Sequence, residues 1–197
     1  MVMPRVNGVR YNGVAMTLHW VIAALIIANI LIAWYFNTLN GAAKIPPVQL
    51  HKSIGITVLL LSVLRLLWRI VARPPALPAS VTGWERMTAG TVYVLFYVVM
   101  IGMPLTGWAL SSASPLIMVY PIKLYGVIPW PAIGYLSHLP HDQQKSAHTV
   151  FVTMHGLGAK LAYALIVLHV LAAARHWLIL RDGVAGRMVP FLRAPTR

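Results

Sequence analysis

Residues 155–180 read HGLGAKLAYALIVLHVLAAARHWLIL. The run is longer than the roughly 20 apolar residues that an α-helix needs to cross a hydrocarbon core. Its only basic or imidazole side chains are His155, Lys160, His169, Arg175 and His176. In lipid such groups are costly, so they tend to face a bundle interior and to mark function. His155 and His169 are 14 residues apart. On a helix that is about 21 Å of rise and close to four full turns, so both point the same way. One helix thus offers an imidazole at each of two depths.

Three further stretches have the same character: residues 17–36, 51–71 and 88–110. Proline-bearing segments separate them. Residues 37–47 contain Gly41, Pro46 and Pro47, residues 73–80 read RPPALPAS, and a long segment from 111 to 146 carries five prolines, Pro115, Pro121, Pro129, Pro131 and Pro140. Proline removes a backbone donor and disfavours helix in the residue before it, which suits loops between spans. The expectation is an all-α, four-helix transmembrane bundle forming a single domain over residues 1–197, with spans at about 17–36, 51–71, 88–110 and 155–180. Arg5 and Arg10 precede the first apolar run, but no small-residue cleavage site follows, so that run reads as a retained helix.

The composition of the whole chain agrees. Of 197 residues, 59% are hydrophobic and 10% charged, too few charges to cover a soluble surface. The net charge of +13 does not indicate nucleic acid, because the basic residues gather at the ends of apolar runs and form no continuous stripe. They sort by side. Arg5, Arg10, Arg73, Arg86, Arg181, Arg187, Arg193 and Arg197 fall together, opposite Lys44, Lys123, Lys145 and Asp142. Basic residues favour the cytoplasmic side, so both termini are expected there, in a bacterial inner membrane. The chain has no cysteine, which excludes disulfides, thiolate zinc sites, iron–sulfur clusters and thiol catalysis.

Histidine is then the leading soft ligand. His51 stands at the outer end of the second span and His19 at the inner end of the first, so each depth has a second histidine from another helix. The couples are His51 with His155 outside and His19 with His169 inside. Two axial histidines from facing helices suit a six-coordinate b-type haem. A metal site or a proton relay could be built from the same groups, and spacing alone does not separate these readings. Arg65 repeats the 14-residue interval after His51 and is placed to meet an anionic group such as a haem propionate near the inner couple. Gly55, Gly156 and Gly158 flank the outer couple, where a missing side chain admits a flat macrocycle. The third span has no ionisable residue and reads as packing scaffold. His138, His141 and His148 read as solvated loop residues, with His148, seven before His155, as a rival ligand. Arg69 and Arg175 read as snorkelling to headgroups, and Trp20, Trp34, Trp68, Trp108 and Trp177 as interfacial anchors.

In order along the chain stand LHW at 18–20, LHKSIG at 50–55, RLLWR at 65–69 followed by RPPALP, GMPLTGW at 102–108, His155 with His169, and RDG at 181–183. This series resembles the prokaryotic cytochrome b561 family over nearly the whole chain. The resemblance implies two non-covalent b haems with His19, His51, His155 and His169 as axial ligands. It also implies electron exchange between membrane quinone, ubiquinone in particular, and a periplasmic donor or acceptor, superoxide in at least one member. Lys52, Lys145 and Lys160 are candidates for drawing an anion to the outer side, and Lys52 and Lys160 for contacting the cofactor. Arg175 and His176 are candidates for a quinone site. Expected partners are lipid, quinone and the periplasmic redox partner; a homodimer is compatible with the reading. The alternatives are a cytochrome b anchor subunit of a larger periplasmic dehydrogenase, and a haem-free proton-coupled transporter.

Overall fold

A computed structural model describes residues 10–72, 75, 83–189 and 191–192. Its frame is four long helices: α1 (Gly13–Asn37), α2 (Ile45–Val71), α3 (Gly83–Ser112) and α5 (His141–Ala174), with one short helix, α4 (Gly134–Ser137), before the last. Each long helix is apolar and long enough to cross a membrane. The expected spans are all present, with shifted ends. Pro46 and Pro47, expected in a loop, stand in the first turn of α2. The first turn has no use for their missing N–H groups, and proline's fixed φ suits it. Helix α3 begins five residues before the expected Thr88. Helix α5 begins at His141 and runs through π-helical turns over Arg175–Leu180 until Arg181, whose φ of 51° ends it. His148, expected in a loop, therefore lies on α5. Arg5, Arg73, Arg193, Arg197 and most of the RPPALPAS segment lie outside the described residues.

Helix α1 packs on α2, α2 on α3, and α3 on α5, whereas α5 is not closely packed against α1 or α2. Ile22, Ile54, Val58, Tyr97 and Met100 form the core that joins the first three helices. The outward surfaces are apolar as well: Ile70 is 71% exposed, Val98 58% and Leu171 61%. A soluble protein could not leave so much apolar surface in water, and lipid is the solvent that suits it. Polar side chains go inward instead. Ser53, Ser62 and Ser112 are almost wholly buried.

The segment between α3 and α5 is an ordered cap, shorter than expected because both helices extend into it. It contains a two-residue-per-strand hairpin, β1 (Lys123–Leu124) with β2 (Ile128–Pro129), turned through Tyr125 and Gly126 at positive φ. Several polar ties hold the cap to the helices, four of them at 2.9 Å or less. Trp108 Nε1 donates to the Pro131 carbonyl at 2.8 Å, and the Ile133 N–H donates to Ser112 Oγ at 2.9 Å. The Tyr125 N–H donates to Ser53 Oγ at 2.9 Å, and the Tyr125 hydroxyl meets Thr57 Oγ1 at 2.7 Å. Trp108, expected as an interfacial anchor, is thus a cap anchor.

A second set of ties closes the opposite end, where the residues leading into α1 meet those that follow α5. The Tyr11 N–H donates to the Arg187 carbonyl, Trp20 Nε1 to the Met188 carbonyl, Arg10 to the Leu192 carbonyl, and the buried Arg187 guanidinium to the Pro75 carbonyl at 2.8 Å. Residues 181–189 form a strap under the bundle. Ser53 is the testable cap anchor. Replacing it with Ala removes the acceptor of the part-buried Tyr125 N–H, which costs about 1 kcal/mol. Ser53→Ala should lower the melting temperature of the detergent-solubilised protein and speed proteolysis within residues 113–140.

Candidate functional site

Where α5 stands off from α1 and α2, imidazoles bridge the interval. His51 of α2 faces His155 of α5 at the cap end, with ring centroids 6.2 Å apart and planes crossed at 79°. His19 of α1 faces His169 of α5 near the strap, at 6.1 Å and 67°. The couples are the ones expected from depth. His148 is not in either couple, and neither are His138 or His141. His138 instead bonds the Gly134 carbonyl at 2.7 Å.

These spacings restrict the chemistry. A ring nitrogen lies about 1.1 Å from its centroid, so facing nitrogens in each couple are no closer than about 3.8 Å, too far for a direct hydrogen bond. One metal ion with two metal–imidazole bonds of about 2 Å each would span that interval. Among the described residues no three His, Asp or Glu side chains gather into a metal-binding cluster. An ion held by protein alone would therefore have two ligands, fewer than any ordinary metal site. A macrocycle that brings four equatorial donors of its own resolves the shortage, so the residues present fit a haem between each couple.

The surroundings of the two couples differ. At the cap end, His51 Nδ1 lies 3.2 Å from the Asn29 carbonyl of α1, and His155 Nδ1 lies 3.1 Å from Thr106 Oγ1 of α3. Gly107 lies against the same ring: a Cβ there would come within 3.1 Å of His155 Cε1. Phe36 packs edge-on to His51 at 5.4 Å. In the strap-end couple, His19 and His169 have no hydrogen-bond partner among the described residues. Trp20 and Phe96 stand edge-on to them at 5.3 and 5.4 Å. Arg65 lies close enough for its charge to act on both rings. It is half-buried and has no ion pair or hydrogen bond among the described residues.

The third span is therefore more than scaffold, since it supplies Thr106, Gly107 and Phe96 to the imidazoles. Charge was the marker for functional residues, and a hydroxyl, a glycine and a phenyl ring carry none; Thr106 and Gly107 at least stand in GMPLTGW, whereas Phe96 lies outside it. Of the expected glycines, a Cβ at Gly158 would collide with the Met103 side chain, one at Gly55 would lie 3.9 Å from Asn29 Nδ2, and one at Gly156 would meet nothing within 4 Å. Lys52 is half-buried beside His51, whereas Lys160 is exposed. Five residues beyond His155, Lys160 is turned about 140° around the helix from it.

Two arginines depart from expectation. Arg69 does not snorkel; its guanidinium stacks 3.6 Å from the Tyr93 ring centroid, a cation–π contact strengthened by desolvation. Arg175 pairs with Glu85 at 3.5 Å. His176 Nδ1 is 2.6 Å from Asp182 Oδ2, a partner that the RDG motif contained but sequence reading did not assign.

Comparison with known proteins agrees with this architecture. The family described as prokaryotic cytochrome b561 matches residues 10–191. Cytochrome b561 homolog 2 of Escherichia coli (strain K12) is 26% identical, covering 91% of each chain. The probable superoxide oxidase CybB of Yersinia pestis is 29% identical, over 92% of this chain and 96% of its own. Cytochrome b561 homolog 1 of E. coli (strain K12) is 23% identical, over 92% and 97%. With four membrane-crossing helices and a family match over almost its full length, the chain belongs to the prokaryotic cytochrome b561 family, multi-pass membrane cytochromes that bind b-type haem and transfer electrons.

Proposed function

We propose that His51 with His155 and His19 with His169 are the axial ligands of two b haems. On this reading the chain carries single electrons across a bacterial inner membrane, between a periplasmic one-electron partner and the ubiquinone pool. The supporting observation is the pair of facing imidazole couples, at 6.2 and 6.1 Å, on two levels of one bundle. The bound haems would supply reversible one-electron chemistry, with both axial positions filled and none open to oxygen. Arg10, Arg86, Arg181 and Arg187 lie at the end bearing the termini, and Lys44, Lys123 and Lys145 at the cap end. This charge sorting supports a cytoplasmic strap and a periplasmic cap.

Each couple should fail separately. Pyridine haemochrome analysis of the purified protein should give two haems per chain. Alanine at any one of the four histidines should remove or perturb one haem while the other keeps its spectrum. A colourless protein would end this reading.

At the cap end Lys52 places a positive charge beside His51, and a cationic mouth raises the local concentration of an anionic donor. Superoxide fits that description, and one relative carries the name probable superoxide oxidase. Lys52→Gln should slow superoxide-driven reduction in stopped flow, with the deficit shrinking as salt rises. Lys160→Gln, on the other side of its helix, should have the smaller effect. Equal rates in all three proteins would remove superoxide steering by Lys52.

At the strap end, His176 follows His169 by two helical turns and lies on nearly the same face. Asp182 holds its Nδ1, leaving Nε2 to meet a quinone oxygen and exchange a proton with it. Arg175, in its ion pair with Glu85, would border the same place. His176→Ala should abolish quinone reduction while both haems remain bound; retained turnover would move the quinone elsewhere.

A further inference from the structure

Residues 116–128 read LIMVYPIKLYGVI and carry one charge, Lys123. They lead into the hairpin of the cap and form most of it. Ile122 and Leu124 are buried, while Val127 is 80% exposed and Ile128 58%. Water is a poor solvent for such a surface.

The hairpin does not stand above the helices but runs down one side of α2. Gln49 Nε2 donates to the Pro121 carbonyl at 3.2 Å, the Tyr125 N–H donates to Ser53 Oγ at 2.9 Å, and the Tyr125 hydroxyl meets Thr57 Oγ1 at 2.7 Å. Gln49, Ser53 and Thr57 stand at four-residue intervals, so they form one stripe, with Ser53 turned about 160° from His51. Leu60 and Leu64 continue that stripe toward the strap, and both are exposed apolar side chains of the kind that face lipid. The depth follows from the helix itself. Thr57 is 14 residues and Ser53 18 residues from the end of α2 at Val71. These intervals are about 21 and 27 Å of rise, whereas the hydrocarbon core is about 30 Å thick. With the end of α2 at the opposite face, both levels lie inside the core, Ser53 close to its edge.

The backbone of the hairpin suits that place, where an N–H needs an acceptor within the protein. Tyr125 donates to Ser53, Gly126 to the Lys123 carbonyl, Val127 to the Leu124 carbonyl and Trp130 to the Ile122 carbonyl. Leu124 and Ile128 pair across the ladder, and Pro121 and Pro129 have no N–H to place. Positive φ at both Tyr125 and Gly126 gives the tight turn that closes these bonds.

We infer that the hairpin is a lipid-contacting element, seated beside α2 in the leaflet at the cap end, with Val127 and Ile128 against acyl chains and the Lys123 ammonium reaching out to headgroup phosphates. Its apolar side chains extend the lipid-facing surface of α2, and its polar ties all turn inward to the stripe. The bilayer then holds the cap from outside as Ser53 and Thr57 hold it from within. This inference needs no haem and stands apart from the electron-transfer reading.

The chain has no cysteine, so a nitroxide can be attached at one introduced position at a time. The whole chain carrying Val127→Cys, Ile128→Cys or, as the aqueous reference, Gln143→Cys in the exposed first turn of α5 would be placed singly in nanodiscs of phosphatidylethanolamine and phosphatidylglycerol. Power-saturation spectroscopy then compares collisions with oxygen, which concentrates in acyl chains, and with a water-soluble nickel chelate. Labels at 127 and 128 should collide more with oxygen than with nickel, and the label at 143 the reverse. The inference is overturned if the label at 127 or 128 behaves like that at 143, which would put the hairpin in water. It is equally overturned if neither reagent reaches one of them, which would mean that protein covers this face.

Discussion

The arrangement depends on how α5 is kept at a distance. Three of the four long helices share a packed core built around Ile22, Ile54, Val58, Tyr97 and Met100. Helix α5 joins the bundle through α3 and stands off from α1 and α2. What crosses that interval is aromatic and polar: His51 to His155, His19 to His169, and between them Trp34 donating from Nε1 to the Tyr163 hydroxyl at 3.2 Å. Inside a membrane, apolar side chains gain little by leaving lipid for one another, so association rests on packing and on polar contacts between helices. Here the polar contacts sit at two levels, with the facing rings 6.2 and 6.1 Å apart. The proposed haems would then be structural partners of α5 as well as redox groups.

The ends of the bundle protect those levels. Backbone groups outside regular helix must find partners at membrane depth. The cap does so through side chains that reach out of the helices, Ser53, Thr57, Trp108 and Ser112, and so becomes a fixed surface over the His51–His155 couple. The strap does so through Tyr11, Trp20 and the buried Arg187. Fixed ends would serve the proposed electron transfer, because the medium around each haem would then reorganise little when the charge changes.

The short motif GMPLTGW shows how one stretch can serve both purposes. Pro104 has no N–H to give the helix, which loosens the local backbone pattern. Nearby, the Met103 carbonyl accepts from Thr106, Thr106 meets His155, Gly107 makes room for the same imidazole, and Trp108 ties down the cap. A stretch of seven residues thereby couples the position of an imidazole to the fixed outer surface. None of these side chains is charged, yet together they set what the His155 ring can do.

Sequence alone was enough for the four spans, for the retention of polar groups inside them, and for the pairing of histidines by depth. Helix rise and lipid thickness are properties of the backbone and the solvent, so the 14-residue interval from His155 to His169 already placed them on two levels of one face. It also fitted the chain's likeness to a cytochrome family, which the match over residues 10–191 bears out. Span ends were less legible, because Pro46 and Pro47 fit a loop and a first helical turn equally well, and because a helix such as α5 can run on past the membrane. The partners of Arg69, Arg175 and His176, the ordering of the cap, and the hydrogen bonds that distinguish one histidine couple from the other were decided only in three dimensions. Each depends on which neighbour from a distant part of the chain arrives within about 3 Å, and no local period in a sequence encodes that distance.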